Sequence, residues 1–213
     1  MRRDLERDPA RVMNIQLGAM HAESFATDPK HLLFTLARYH FVARVLCGYG
    51  RVLEIGCGDG TGAHLVVKSV GELVGIDREP SPNYPGVFVQ VDLLDGECGL
   101  GAYICGGNFD AAFMLDVLEH IPPKKERAVL SDVCVNLKPH GVMIVGMPSL
   151  ESQPYASELS RRHHVNCKTE SGLRDTMRAH FDNVFCFAMQ DATLHVGFGA
   201  MAHYRLALCT NKR

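Results

Sequence analysis

Residues 51–62 read RVLEIGCGDGTG, and this stretch decides the fold of the chain. Val52, Leu53 and Ile55 form a short apolar run of the kind that makes a buried parallel strand. Glycine then occupies every second position from 56 to 62, before a helical pattern begins. Because glycine has no Cβ, a ligand can approach the main chain here, and the amides that open the next helix face that ligand. The stretch therefore predicts a strand, a glycine turn and a helix that cradle a nucleoside-like cofactor.

Two cofactor patterns fit this loop. The dinucleotide pattern G-x-G-x-x-G/A is met by Gly58, Gly60 and Ala63. Read from Gly56, the loop is E-x-G-x-G-x-G, with the acidic Glu54 two residues before the first glycine. In this form it resembles the first motif of the class I S-adenosylmethionine-dependent methyltransferases, in which the acidic residue anchors the loop and the methionyl end of the cofactor. The alternatives are an NAD(P)-dependent oxidoreductase and a cofactor-binding scaffold without catalysis.

The composition predicts one α/β domain. The chain has 213 residues, of which 46% are hydrophobic, enough for one well-filled core. A formal net charge of −2 provides no basic field for a nucleic-acid backbone, so no nucleic-acid partner is expected. We predict an N-terminal helical lid or lead-in over residues 1–44 and a cofactor-binding domain over residues 45–213.

The cysteines and the N-terminus indicate a soluble, cytoplasmic protein. None of the eight cysteines forms a C-x-x-C pair, and several lie in apolar runs, where a free thiol behaves as a small hydrophobic group. The N-terminus lacks the apolar segment of a signal peptide, and no window approaches the roughly eighteen apolar residues of a membrane helix. We expect no membrane contact. A homodimer is compatible with the sequence.

The segment 28–46 predicts a helix packed on the sheet edge. Its apolar residues, from Leu32 onward, recur at helical spacing before two glycines end the pattern. In the family that the chain resembles, N-terminal helices close over the active site, so His31, Tyr39 and His40 are candidate substrate contacts. Core packing and solvated histidines are the preferred interpretation.

Two acids are predicted to bind the nucleoside. Asp77 ends the second predicted strand, ELVGID, at the rim where open α/β sheets hold ligands. A carboxylate accepts two hydrogen bonds from a vicinal diol, so Asp77 is the expected ribose ligand with either cofactor. Asp92 follows the third predicted strand. The resemblance places Asp92 at the adenine amino group, with Leu93 beside the ring.

The stretch FDAAFMLDVLEHIPP, residues 109–123, favours the methyltransferase over the dehydrogenase. Its apolar part predicts a central fourth strand, and Asp116, Glu119 and His120 follow at the carboxyl end. Dinucleotide folds are not expected to have such an acid-rich segment there. The resemblance implies that main-chain groups near Leu115 and Asp116 meet the methionyl amine. The residues assigned to the cofactor are Glu54, Gly56, Cys57, Gly58, Gly60, Asp77, Asp92, Leu93, Leu115 and Asp116.

The rest of the chain completes the predicted sheet. Strand and helix patterns alternate to residue 147, and a polar loop over residues 148–168 is expected to form part of the substrate wall. A helix over residues 169–180 is followed by two strands with no helix between them. We predict a Rossmann-like α/β fold whose seven-stranded sheet is mostly parallel, with an antiparallel C-terminal hairpin and helices on both faces.

Methyl transfer to a hydroxyl calls for a base, because the neutral hydroxyl is a poor nucleophile. A histidine near its ordinary pKa suits this role. The candidates are His120, His163, His164 and His195. The resemblance favours His164, because the family often has a histidine after the fifth strand. His120 and His163 are the next candidates.

The expected acceptor is a small molecule with a sugar, nucleotide-sugar or phenol-type hydroxyl. Arg161 and Arg162, in the predicted substrate loop, are able to pair with a phosphate of that molecule. A solvated charged turn is the preferred interpretation of these two residues.

A divalent metal is an alternative at the same place. Asp116, Glu119 and His120 are spaced i, i+3 and i+4, and His163 or His164 is able to add a ligand. The arrangement resembles the E-x-x-E-H metal motif of the ubiquinone O-methyltransferases and of the small-RNA 2′-O-methyltransferases. The side chain of Asp116 is shorter than the glutamate of that motif, which weakens direct ligation. The preferred prediction is no metal, with Glu119 and His120 lining the substrate pocket or capping the next helix.

Overall fold

A mixed sheet of eight strands forms the centre of the structure, a computed structural model that describes residues 16–95, 99–104 and 107–213. The strands are β1 (Arg51–Ile55), β2 (Glu72–Asp77), β3 (Val87–Gln90), β4 (Phe109–Leu115), β5 (Leu137–Pro148), β6 (Phe181–Gln190), β7 (Thr193–His195) and β8 (Tyr204–Lys212). The helices are α1 (Ala19–Thr27), α2 (Lys30–Val45), α3 (Ala63–Val66), α4 (Pro123–Val135), α5 (Glu158–His163) and α6 (Glu170–Arg178).

The strand order is β3-β2-β1-β4-β5-β8-β6-β7. The first five strands along the chain pair in parallel, whereas β8 runs antiparallel between β5 and β6. The direction of the strand order reverses between β1 and β4, which creates a crevice outside the carboxyl ends of these two strands. The Rossmann-like prediction is confirmed, with one additional strand. Three-residue β7 forms a hairpin with β6, and so short a strand leaves no readable periodicity.

The core lies on both faces of the sheet because alternate residues of each strand point to opposite faces. On one face, Leu53 of β1 belongs to a buried cluster with Leu130 of α4. On the other face, Val52 belongs to a buried cluster with Val42 of α2. Glu54 therefore points to the same face as Val52, toward α2. This placement determines the surroundings of the acid that precedes the glycine loop.

Several elements differ in extent from the predicted ones. The lead-in contains a helix, α1, and its residues 1–15 lie outside the described part. The helix after the glycine loop is confined to α3, whereas the polar loop over residues 148–168 includes the helix α5. In the part of the chain that the structure describes, no helix combines the length and the apolar character needed to cross a membrane.

Candidate functional site

The loop after β1 carries glycines with positive φ, namely 72° at Gly56, 53° at Gly58 and 77° at Gly60. The amides of Gly56 and Cys57 donate to the Ile76 carbonyl of β2, at N–O distances of 2.8 and 3.1 Å. Cys57 is 3% exposed and belongs to the core on the α2 face, and its Sγ lies 3.9 Å from the Gly58 carbonyl oxygen. The loop thus bends across the end of β2 and is held there by these hydrogen bonds.

Two acids stand at neighbouring strand ends beside this loop. Asp77 ends β2, and its Oδ2 accepts a hydrogen bond from the Gly58 amide at 2.8 Å. Asp92 lies just beyond β3, where its Oδ1 accepts from the Leu94 amide at 2.8 Å, and Leu93 packs partly against the core. The structure therefore brings the predicted ribose and adenine residues to one rim of the sheet.

Glu54 lies beneath the loop and is 1% exposed. Its Oε1 accepts a hydrogen bond from the Tyr39 hydroxyl at 2.6 Å, and its Oε2 accepts from the Tyr84 hydroxyl at 2.8 Å. Burial raises the pKa of Glu54 to about 7, although both hydrogen bonds favour the charged form. Tyr39 therefore supports the acid beside the cofactor loop from within the core.

Sequence reasoning misses Tyr84, which lies in the loop between β2 and β3. Its ring fills the space at Gly75, in the middle of β2, where an added Cβ would lie 2.2 Å from a ring carbon. Tyr39 fills the space at Gly62 in the same way, with a Cβ distance of 2.3 Å. Because glycine inside a strand often marks the close approach of another group, Gly75 is the signal that points to this contact.

Glu54→Gln is expected to change how stability depends on pH. The pKa of Glu54 is about 7 in the folded chain against an ordinary value of 4.5, so the folded state holds the extra proton between these values. Its contribution to the free energy of unfolding therefore falls as the pH rises through this window. The side-chain amide of the variant does not titrate, so its contribution to the free energy of unfolding stays constant over this window. Between pH 4.5 and pH 8, the free energy of unfolding of the variant should therefore rise by roughly 3 kcal/mol relative to that of the wild type. Urea denaturation measures the difference, and a constant difference would contradict the raised pKa.

The glycine loop is also tied to α1. Asp59 of the loop accepts a hydrogen bond from the Gly18 amide at 2.7 Å, and the Nδ1 of His21 lies 2.9 Å from its carboxylate. Burial alone would raise the pKa of Asp59, but the bonds from His21, Thr61 and Gly18 lower it on balance. The bond to Asp59 in turn raises the pKa of His21. An ion pair that sequence periodicity does not show thus closes α1 against the loop.

A second cluster lies beyond the carboxyl end of β4. Glu119 and His120 belong to a 3-10 turn, Leu118–His120, and His164 follows α5. The ligand atoms of these three side chains all lie within 4.8 Å of one another, and Glu119 Oε1 is 4.0 Å from His120 Nε2. The rings of His120 and His164 meet edge-on, with centroids 5.2 Å apart. The fold brings these predicted residues together from two loops.

Hydrogen bonds set the tautomers of both histidines. The Nδ1 of His120 lies 3.1 Å from the His163 carbonyl oxygen, and the Nδ1 of His164 lies 3.1 Å from Gln153 Oε1. The Gln153 amide nitrogen donates to the Ser149 carbonyl at 3.2 Å, which orients its oxygen toward His164. Because carbonyl oxygens only accept, each Nδ1 carries the proton and each Nε2 keeps a free electron pair.

Glu119 is 1% exposed, and neither of its carboxylate oxygens has a hydrogen-bond partner among the residues described. Burial, followed by the charge of Asp116, raises the pKa of Glu119 well above its ordinary value. Burial also lowers the pKa of His120 and of His164, which keeps both imidazoles neutral. Burial thus disfavours charge on all three groups, and a cation bound between them would favour the ionised carboxylate and the two neutral imidazoles as its ligands.

Asp116 is paired with Arg38 and does not join this cluster as a ligand. It follows Leu115 at the end of β4 with a φ of 56°, and its amide donates to the Gly146 carbonyl at 3.0 Å. Its Oδ2 accepts from Arg38 Nη1 of α2 at 2.7 Å, and the guanidinium lies 3.7 Å from the centroid of the Tyr204 ring. Asp116 is thus ion-paired, and the candidate metal ligands that meet are Glu119, His120 and His164.

The other candidates lie elsewhere. The Nδ1 of His163 is 2.9 Å from the Leu159 carbonyl of its own helix, and the hydrogen bond from His163 to the cluster is made by its main-chain carbonyl. His195 stands on β7, at the edge of the sheet and three strands beyond β5. Arg161 and Arg162 are exposed, and each bonds to a group of its own segment.

Comparison with known proteins gives the same fold. A family model described as a methyltransferase domain matches residues 21–182, and no curated protein matches the chain. An S-adenosylmethionine-dependent methyltransferase from Archaeoglobus fulgidus is 14% identical with a TM-score of 0.67, and the alignment covers 92% of this chain and 100% of that one. A possible histamine N-methyltransferase from Thermotoga maritima is 19% identical with a TM-score of 0.64, covering 91% and 95%. The N-methyltransferase NodS from Bradyrhizobium japonicum, solved with S-adenosyl-L-homocysteine, is 16% identical with a TM-score of 0.58, covering 88% and 90%.

Proposed function

Since the chain belongs to the class I S-adenosylmethionine-dependent methyltransferases, we propose that it methylates a hydroxyl oxygen beside a divalent metal ion held by Glu119, His120 and His164. Its cofactor is S-adenosylmethionine, which replaces the dinucleotide alternative. The hydroxyl acceptor and the metal are the proposed parts. A metal-free pocket with His164 as the base is the second candidate.

One observation supports the proposal of a metal ion. The carboxylate of Glu119 is buried without a hydrogen-bond partner in the described structure, and it lies beside two imidazoles. An ionised carboxylate that is buried without compensation costs several kcal/mol, so such a group is normally protonated, paired or bound to a metal. The two Nε2 atoms offer electron pairs and no proton. A cation compensates all three groups at once.

The donor set indicates the class of ion. Two imidazole nitrogens and one carboxylate oxygen suit zinc, iron, cobalt or manganese better than magnesium, which prefers oxygen ligands. Tetrahedral ligands with bonds of about 2.0–2.2 Å lie roughly 3.3–3.6 Å apart. The ligand atoms here lie within 4.8 Å of one another, so the side chains would have to close by roughly 1 Å around an ion.

The chain's own residues have defined tasks in this proposal. The glycine loop holds the methionyl end of the cofactor with support from Glu54, Asp77 binds the ribose, and Asp92 binds the adenine amino group. Their placement on one rim directs the methyl group toward the end of β4. When bound, the metal supplies a Lewis acid that lowers the pKa of an acceptor hydroxyl. In the metal-free candidate, the His164 Nε2 takes the hydroxyl proton itself.

Matched acceptors test the atom that is methylated. We expect phenols or sugars with a free hydroxyl to yield S-adenosylhomocysteine in the presence of manganese or zinc. Analogues in which an amine replaces that hydroxyl should turn over at least about 10-fold more slowly, because a neutral amine gains little from deprotonation aids. Mass spectrometry of the product locates the methyl group. Exclusive methylation of the amines would overturn the hydroxyl assignment.

A further inference from the structure

We propose that Asn166 is a positioning residue that holds His164 against Glu119 and His120. The inference rests on the metal site of the proposed function. His164 comes from the loop after β5, whereas Glu119 and His120 come from the turn after β4, so the site exists only while the two segments stay joined. Asn166 lies two residues beyond His164 and is 6% exposed.

Main-chain hydrogen bonds form the first part of the junction. The amides of Val165 and Asn166 both donate to the Glu119 carbonyl oxygen, at 2.8 and 3.0 Å. The His163 carbonyl oxygen accepts a hydrogen bond from the Nδ1 of His120 at 3.1 Å. The segment 163–166 is thus hydrogen-bonded to the turn at Glu119 and His120, the two residues whose side chains carry candidate ligand atoms.

The side chain of Asn166 forms the second part. Its amide nitrogen donates to Glu126 Oε2 of α4 at 2.7 Å and approaches the Leu118 carbonyl at 3.4 Å. Its oxygen accepts from Lys168 Nζ at 3.2 Å, and that ammonium is 2.8 Å from Glu126 Oε2. The side-chain amide of Asn166 therefore acts as a donor through its nitrogen and as an acceptor through its oxygen. It fastens the His164 loop to α4 and to the turn at the same time.

Asparagine suits this place and aspartate does not. Asn166→Asp keeps the shape but replaces the donating NH₂ by an oxygen that faces the Glu126 carboxylate and the Leu118 carbonyl. Both contacts become repulsive, so the loop should move away from the turn. Asn136 offers a matched control, because it is also 6% exposed and donates from Nδ2 to the Asp132 carbonyl at 2.8 Å, at the end of α4.

Metal binding separates a positioning role from a general structural one. Zn²⁺ affinity is measured by chelator competition on the full chain, and the visible spectrum of the Co²⁺ form reports the ligand geometry. Asn166→Asp should bind Zn²⁺ about 10- to 100-fold more weakly, as loss of an outer partner of a ligand typically does, and should shift the Co²⁺ bands. Its affinity for S-adenosylhomocysteine should stay within about twofold, since the cofactor rim lies on other loops.

Asn136→Asp should lower Tm comparably and leave the Zn²⁺ affinity and the Co²⁺ spectrum unchanged. If Asn166→Asp does not fold, Asn166→Ser removes the amide without adding charge, and the same loss of affinity is expected. An Asn166 variant with wild-type metal affinity and spectrum would overturn this inference alone. A wild-type chain that binds no metal would refute the proposed metal site and the inference with it.

Discussion

Removal of divalent metal is expected to lower kcat/KM by at least about 100-fold, because a Lewis acid supplies several kcal/mol of stabilisation to the developing alkoxide. Dialysis against EDTA, followed by an assay with saturating S-adenosylmethionine and a hydroxyl acceptor, measures the loss. Manganese, cobalt or zinc should restore the rate, whereas magnesium should restore less, since the site offers two nitrogen ligands. Cofactor binding should survive EDTA.

Variants assign this effect to the cluster. Glu119→Gln keeps the shape of a side chain that is 1% exposed but removes its charge, so it should match the loss in EDTA and prevent rescue. His164→Ala should do the same. The control is His163→Ala, because that ring bonds to the Leu159 carbonyl of α5 and should leave the rate near that of the wild type.

Full activity in EDTA would contradict the proposed metal site. If His164→Ala then remained inactive while Glu119→Gln retained most of the rate, His164 would be the base, as the metal-free candidate requires. General-base catalysis contributes about 10²- to 10⁴-fold, so the loss in His164→Ala would be similar for both candidates, and the EDTA result and the Glu119→Gln variant separate them.

Gly56→Ala is expected to abolish measurable cofactor binding, with a loss of at least about 100-fold, through strain and collision together. Gly56 has a φ of 72°, which costs other residues roughly 1–2 kcal/mol. An added Cβ would also lie 2.2 Å from Cγ2 of Val117, next to the turn that carries Glu119. The loop must therefore shift at the place where we propose that the cofactor approaches it. Calorimetry with S-adenosylhomocysteine measures the loss.

The control is Gly48→Ala, outside the cofactor loop. Gly48 has a φ of 86°, yet an added Cβ there would meet no heavy atom within 4 Å in the described structure. It should lose about 1–2 kcal/mol of stability from strain and keep its cofactor affinity. Gly56→Ala should lose about 2–4 kcal/mol in urea denaturation, because overpacking adds to the strain. Cofactor affinity within threefold of the wild type in Gly56→Ala would contradict the role of this glycine.

The fold, and the position of Asp77 and Asp92 on one rim of the sheet, could be predicted because their signals are local. The apolar run of β1, the alternating glycines and the acids Asp77 and Asp92 at strand ends all follow from residue spacing. Parallel strands place their carboxyl ends at one edge, so residues that end separate strands meet there without further information. The elements that could not be predicted are short ones such as β7, which has too few residues to show a periodic pattern.

Residue periodicity and spacing act over a few residues, and they were enough to predict the class of fold and a short set of acids and histidines. The choice of S-adenosylmethionine over a dinucleotide came from the resemblance to a known family. Only the tertiary structure decided how these groups pair. It directed Asp116 to Arg38, 78 residues away, placed two tyrosines on Glu54, and left both oxygens of Glu119 unpartnered in the described chain beside His164. Burial and hydrogen-bond partners depend on which distant segments pack together, and they set whether a carboxylate is an ion pair, a buried acid or a metal ligand.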